Sequence, residues 1–309
     1  MTITISELHP LFVGEVSGID LRIPADPEAF RAIARALDRY AVLVFRGQSL
    51  SGDQQIAFSA LFGPVETALG SIRKDRKTRL GNRWLAEVSN IDANNEIRSS
   101  SDPWRIMQRA NELWHTDSSF KSVPGMISFL SAHELPPTGG ETEFADLRAA
   151  YDALDAAMQV KIQDLLAEHS LLYSRSLLGY TDFSEEERVA FPPVARRLVR
   201  VHPGSRRKTL YLASHASHII GWPVLQGRAL LKELTEFSTQ RRFVYQHHWQ
   251  LNDLVVWDNR CTMHRARRYD DARHRRDMRR TTVEDIAPAL EHDRGLICTA
   301  RGASVRWQP

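Results

Sequence analysis

Asp253-Leu254-Val255-Val256-Trp257-Asp258-Asn259-Arg260-Cys261-Thr262-Met263-His264 is an apolar run closed by a polar turn, with a histidine just past its end. A run this short, rich in β-branched and aromatic side chains, reads as a buried strand. Similar segments recur at 41–45, 125–134, 198–202, 209–213 and 243–249, punctuated by turn clusters such as Pro136-Pro137-Thr138-Gly139-Gly140. Helices are expected between them. Asp26-Pro27 caps and starts one that ends near Tyr40, and Ser51 with Gln54 has capping-box spacing before a stop at Gly63-Pro64. Further helical periodicity follows Asp146 and spans 227–237, while 67–107 reads as long loops with one strand near 84–88. Many short strands with helices early and in the middle predict an α+β protein with a β-sandwich or barrel core. The βαβ alternation of a doubly wound sheet is missing, and Gly139-Gly140 stands alone without a G-x-G-x-x-G or P-loop pattern.

Composition supports one globular domain over residues 1–309. Of 309 residues, 42% are hydrophobic and 26% charged, enough apolar content for a large core. No window approaches the roughly 18 apolar residues of a membrane span, and Met1 to Asp20 lacks the pattern of a secretory signal. A cytoplasmic location without membrane contact is therefore expected. The two cysteines, Cys261 and Cys298, cannot frame a disulfide scaffold. Net charge is only +3, yet just six of the 41 basic residues are lysine, a bias that suits bidentate recognition of carboxylates.

Three constellations carry chemistry. In Asn111-Glu112-Leu113-Trp114-His115-Thr116-Asp117, an extended backbone would point His115 and Asp117 to one face, where both can reach one metal; the bland alternative is a surface turn. His264 would complete a two-histidine, one-carboxylate face, which suits non-heme iron and leaves three positions open. Zinc shares these ligand types, although no H-E-x-x-H helix is present. The third constellation is Arg275-Arg276-Asp277-Met278-Arg279-Arg280-Thr281-Thr282. On a strand, Arg276, Met278 and Arg280 face one way and could present two guanidiniums to bound anions. A solvated basic patch touching nucleic acid is the competing reading, ranked lower because acidic residues interrupt the run and no nucleic-acid-binding motif accompanies it.

Longer stretches add to these residues. They include Leu8-His9-Pro10-Leu11-Phe12, Val42-Leu43-Val44-Phe45-Arg46-Gly47-Gln48, Phe62-Gly63-Pro64, Leu113-Trp114-His115-Thr116-Asp117-Ser118-Ser119-Phe120, Gly139-Gly140-Glu141-Thr142-Glu143-Phe144 and Trp257-Asp258-Asn259-Arg260-Cys261. With the arginine run, they make the chain resemble the iron(II)- and 2-oxoglutarate-dependent dioxygenases of the taurine dioxygenase type (TauD/TfdA). The resemblance covers most of the chain and is strongest to the 2,4-dichlorophenoxyacetate dioxygenase branch.

The resemblance implies a double-stranded β-helix, or cupin-like jelly roll, flanked by helices. His115, Asp117 and His264 match its Fe(II) ligands, and Thr142 and Arg276 match the groups holding the distal carboxylate of 2-oxoglutarate. Arg280 matches an arginine that pairs with the substrate anion, with Asn111 and the Ser118 backbone N–H nearby. The loop after Pro64 departs from the branch: an ungapped match puts Ser71 where a basic residue is expected, and Arg73 or Lys74 could take that place if the loop carries an insertion. The implied reaction hydroxylates a small organic acid with O2, releasing succinate and CO2. An aryloxyacetate such as 2,4-dichlorophenoxyacetate would be split to a phenol and glyoxylate. Alternatives are another aryl carboxylate or a sulfonate, a zinc hydrolase on the same ligands, or a non-catalytic cupin-like protein that binds an organic acid. The expected partner is a small molecule, not nucleic acid, and a homo-oligomer is left open. Specificity is expected in the loops near Ser71 and between Leu177 and Pro193.

Overall fold

The structure is a computed structural model and describes residues 3–69, 79–181 and 183–286. Two β-sheets face each other, which agrees with the mixed helix-and-sheet expectation. The larger has seven strands in the spatial order Thr4–Glu7, Gly14–Ser17, Val42–Phe45, Leu254–Asp258, Gly125–Glu134, Asp277–Glu284 and Ala86–Ser89. The smaller places Thr142–Asp146 between Val244–His247 and Thr262–Ala266, all antiparallel.

Alternation along the strands explains the layers. Val42, Val44, Leu130, Ala132, Val255, Trp257 and Met278 of the larger sheet pack with Phe144 of the smaller one, filling the space between the sheets. Their neighbours Leu43, Phe45, Ile127, Phe129, Leu254 and Val256 point the other way, onto Ile33, Leu37 and Phe58. The central strands are thus apolar on both faces, and each side chain withdrawn from water contributes about 1.5–3 kcal/mol. A one-residue slip would exchange the two faces, so this pattern fixes the register.

Helix Pro27–Tyr40 starts where Asp26 accepts two backbone N–H bonds and stops where Ala41 turns left-handed at φ 60°. Helix Gly52–Ala60 carries the expected capping box. Its buried Gln55 donates to the carbonyls of Phe129 and Arg279 and accepts from Ser131, which ties the helix to the sheet centre. On the far side of the smaller sheet, helices Leu147–Asp152 and Val224–Ser238 cover Met263. A further three-stranded sheet, Ala216–Ile219, Leu166–His169 and Val194–Arg197, flanks this layer.

Three local expectations need correction. His264 does not follow the 254–258 strand as an overhang; it sits inside a separate strand, Thr262–Ala266, of the opposite sheet. Asp258 causes the crossing: its side chain accepts from the Arg260 N–H, and its carbonyl accepts from the Cys261 N–H and the Thr262 hydroxyl. His115 and Asp117 do not share a regular strand either, because the chain makes one bridge at His115 and then turns, with Ser118 at φ 55°. The segment 67–107 contains, besides the expected strand at Ala86–Ser89, a helix beginning at Pro103 and ending at Gln108. Among the described residues, no helix is long and apolar enough to cross a membrane.

Candidate active site

The bridge between His115 and His264 is the geometric origin of the site. Their backbones exchange two hydrogen bonds, at 3.0 and 2.8 Å, across the seam between the segment at 115 and the smaller sheet. This sets the rings 4.1 Å apart, centroid to centroid. Asp117 then turns its carboxylate between them, with His115 Nε2 3.7 Å from one oxygen and His264 Nε2 3.6 Å from the other. Those separations exceed a hydrogen bond, so three donor groups converge without consuming one another.

Electrostatics keeps the donors in ligating form. Burial lowers the pKa of His115 and drives that of His264 well below the ordinary value, leaving both rings neutral near pH 7. His115 Nδ1 lies 2.8 Å from the Leu113 carbonyl and therefore carries the ring proton, which frees Nε2. Burial opposes the charge on Asp117, but the Arg280 guanidinium, together with the two neighbouring imidazoles and the Ser128 hydrogen bond, outweighs it and holds the carboxyl at about 2. Arg280 hydrogen-bonds one carboxylate oxygen and Ser128 Oγ the other, at 2.8 Å. Asn259 accepts the Asp117 N–H at 3.1 Å and donates to Ser128 at 2.9 Å, closing the cage.

Two cavities open from this centre, and His115, Asn111 and Arg280 border both. The first also touches Thr142, Trp257, His264 and Arg276. Arg276, the residue before the strand Asp277–Glu284, and Arg280 within it both reach this cavity, as their spacing predicts. Arg276 is 5% exposed, donates to the Gly140 carbonyl at 3.0 Å, and leaves its Nε buried without a partner among the described residues. A Cβ on Gly140, which has φ +76°, would lie 3.2 Å from that Nε, so the glycine makes room for the guanidinium. Thr142 Oγ1 accepts from Trp249 Nε1 at 3.0 Å, which orients the hydroxyl. A buried cation beside an oriented hydroxyl and without a carboxylate partner among the described residues is a receptor for an anion.

The second cavity touches Asp117, Ser118, Phe120, Arg175 and His215. Ser118 Oγ donates to Glu66, which also pairs with Lys121 at 2.9 Å. Asn111 is held by Gln108 at 2.7 Å. His215 turns inward and His218, three residues on, pairs with Glu168 in a partly exposed position. His247 is buried on Asp253 while His248 is exposed, the outcome expected for adjacent strand residues. Ser71, Arg73 and Lys74 lie outside the described residues.

The structure therefore brings together His115, Asp117, His264, Thr142, Arg276, Arg280, Asn111 and Ser118, drawn from both sheets and the turn between them. Ser128, Trp249 and Arg175 join them unannounced. Ser128 and Arg175 stand in stretches with no motif, and Trp249 looked like ordinary strand filling. A small polar residue inside an apolar strand was the one available signal for Ser128.

A family model for the taurine catabolism dioxygenase TauD, TfdA family, matches residues 4–282. The chain belongs to the TauD/TfdA family. This TauD/TfdA dioxygenase is 48% identical, over 92% of its length and 99% of the relative's, to the alpha-ketoglutarate-dependent 2,4-dichlorophenoxyacetate dioxygenase of Cupriavidus pinatubonensis. It is 35% identical, over 86% of the chain and 90% of the relative, to the (S)-phenoxypropionate/alpha-ketoglutarate-dioxygenase of Sphingobium herbicidovorans. The crystal structure of AAD-2 in complex with Mn(II) and N-oxalylglycine superposes with a TM-score of 0.86 at 48% identity, covering 94% of this chain and 99% of that one. The site of this family member fits Fe(II) and 2-oxoglutarate: two imidazoles and a carboxylate whose donor atoms lie within 4.8 Å, and an unsatisfied buried arginine beside them.

Proposed function

We propose that this chain is an Fe(II)- and 2-oxoglutarate-dependent dioxygenase that hydroxylates an aryloxyacetate, with 2,4-dichlorophenoxyacetate as the leading candidate. The observation that carries the reading is the placement of the uncompensated Arg276 in a cavity bordered by His115 and His264, two members of a buried His-Asp-His set. His115, Asp117 and His264 would hold the metal, leaving positions for a chelating keto acid and O2. Arg276 and Thr142 would bind the distal carboxylate of 2-oxoglutarate, and Arg280 would face the substrate anion. N-oxalylglycine has the carbon skeleton of 2-oxoglutarate with N–H in place of one CH2, so the AAD-2 complex supports this arrangement. The facing sheets are read as a double-stranded β-helix forming a single domain.

Bound Fe(II), with O2 and 2-oxoglutarate, supplies a two-electron oxidation that places one oxygen atom on a substrate carbon and the other in succinate, with loss of CO2. The chain's own share is positioning. Ser128 and Arg280 fix the Asp117 carboxylate from its two oxygens, and the Leu113 carbonyl fixes the His115 tautomer. Arg280 borders both cavities and stands where it can set the distance between substrate anion and metal. An aryloxyacetate anchored by its carboxylate presents the methylene beside the ether oxygen, and hydroxylation there gives a hemiacetal that separates into a phenol and glyoxylate.

The test is succinate and phenol formation by iron-loaded protein with 2-oxoglutarate and O2 across aryloxyacetates, cinnamates, aliphatic acids and sulfonates. Matched succinate and phenol from aryloxyacetates, absent in His115→Ala, is the expected result. Turnover confined to sulfonates or aliphatic acids would overturn the substrate reading. Product formation without O2 would overturn the reaction itself.

A further inference from the structure

Arg175 is the one guanidinium in the second cavity without a carboxylate partner among the described residues. Arg280, which shares that cavity, is already bonded to Asp117. Arg175 has its NH1 3.4 Å from Ser174 Oγ, and its Nε is sealed from solvent with nothing to donate to among the described residues. Two enclosed arginines outside the two cavities are treated differently. Arg148 is forked onto Asp146 and Arg260 onto Asp258, each with bonds from two guanidinium nitrogens. A cation removed from water without a counter-charge is strongly disfavoured, so such a group calls for an anionic ligand.

The backbone beneath Arg175 is held in place. It belongs to the short helix Leu171–Ser176, whose N-cap Ser170 side chain accepts the Tyr173 N–H. The Ser170 N–H donates to the His215 carbonyl at 2.8 Å, and Ser174 Oγ sits 2.8 Å from His215 Nδ1. His215 in turn packs against Phe120, at 4.6 Å between ring centroids, and faces the His115 ring at 6.4 Å. Helix and cavity wall are thereby joined, and the guanidinium is aimed beside the metal-facing histidine. Burial, reinforced by Arg280, pulls the Arg175 pKa down to about 10, a shift in keeping with a cation that lacks its counter-ion.

The two cavities separate the two anions. Of these two cavities, Arg276 and Thr142 border the first and not the second, Arg175 and His215 the second and not the first. We propose that Arg175 is the specificity-determining counter-charge for the substrate's carboxylate, acting beside Arg280 in the second cavity. The inference rests on the dioxygenase reading above and deepens it by assigning the acid-selecting group. It also places that group two residues before the 177–193 segment expected to carry specificity. Phe120 supplies an apolar wall in the same cavity, as an aryl ring requires.

The experiment compares wild type, Arg175→Gln and Arg175→Lys. Calorimetry on protein loaded with Mn(II) and N-oxalylglycine measures affinity for 2,4-dichlorophenoxyacetate and for its uncharged amide. Thermal unfolding checks that each variant folds. Loss of a charge-assisted pair should weaken binding of the acid about 10- to 100-fold in Arg175→Gln, with the amide changed less than about threefold. Arg175→Lys should recover part of the loss, and the KM for 2-oxoglutarate should stay within about twofold, since Arg276 lies in the other cavity. Equal losses for acid and amide, or undiminished acid binding, would overturn the proposal. If wild type itself forms no succinate with any aryl acid, the dioxygenase reading has failed; normal wild-type turnover with unaltered acid selectivity in Arg175→Gln marks failure of this inference alone.

Discussion

His115, Asp117 and His264 on one side, and His202, Asp258 and Cys261 on the other, are both buried sets of metal-ligating side chains with donor atoms within 4.8 Å of one another. Their hydrogen bonding separates them. In the second set His202 Nε2 lies 2.9 Å from Asp258, and Arg260 bonds both oxygens of the same carboxylate at 2.6 to 3.2 Å. His202 Nδ1 accepts the Ser205 N–H at 2.9 Å, so both ring nitrogens are committed. In the first set the imidazole nitrogens stop 3.6 and 3.7 Å from Asp117 and remain free to bind something else. Ligand-type side chains and burial are shared; vacancy of the imidazole nitrogens is not. The saturated set instead anchors the turn from which Asn259, the residue after Asp258, reaches the Asp117 N–H.

The largest effect should come from His264→Ala. Metal affinity is expected to fall by more than about 100-fold, beyond the range seen when only supporting partners of ligands are changed. Titration with Mn(II) should give one metal per wild-type chain and none tightly held by the variant. A second tight equivalent that survives His264→Ala and is lost in Cys261→Ser would break the contrast between the two sets.

Asp258→Asn should act on stability. It leaves Arg260 facing a neutral amide, and losing one partner of a buried pair costs about 3–5 kcal/mol. Burial opposes ionisation of Asp258, but Arg260 and then His202 hold its carboxyl well below the usual carboxylate range. A depressed folded-state pKa contributes stability above the unfolded value of about 3.9, and that contribution is lost as pH falls through the folded value. The difference between wild type and Asp258→Asn in urea denaturation should therefore be full at pH 7 and shrink below about pH 4. A gap that widens in acid would contradict this role.

Arg276→Gln tests the vacant side of the comparison. Binding of 2-oxoglutarate to the metal-loaded protein should weaken about 10- to 100-fold, the range for losing a charge-assisted hydrogen bond, while metal affinity holds. Calorimetry separates the two. Equal loss of both would mean that Arg276 supports the ligand cage rather than the cosubstrate.

Sequence legibility follows the same division. Capping at Asp26 and Ser51 and the apolar run at 254–257 are local, and the structure realises them at the expected places. The alternation that puts Arg276 and Arg280 on one side is also local, since a strand repeats every two residues. Where His264 sits was less legible: the Asp258-centred turn hands the chain from one sheet to the other within three residues. The Asp117 cage was less legible still. Arg280 and Asn259 stand in quoted motifs, but Ser128 enters from a strand that carries no other sign of the site. Contacts between residues 11 to 163 positions apart depend on how the sheets stack, not on local pattern.

Ser128→Ala should give the smallest change and the finest discrimination. The substitution removes the donor to Asp117 Oδ2 and the acceptor of the Asn259 amide. Arg280 and the Asn259–Asp117 contact remain, so Asp117 is loosened rather than released, and metal affinity should fall about 10-fold, the lower range for a supporting partner. Ser131→Ala, three residues along the same strand and on its other face, removes the contact to Gln55 instead. That variant should cost about 1 kcal/mol of stability, the usual worth of one hydrogen bond, and leave metal affinity unchanged. Because the two serines lie on opposite faces, a general weakening of the strand would affect both variants alike. A metal defect in Ser128→Ala alone would assign the effect to the orientation of Asp117.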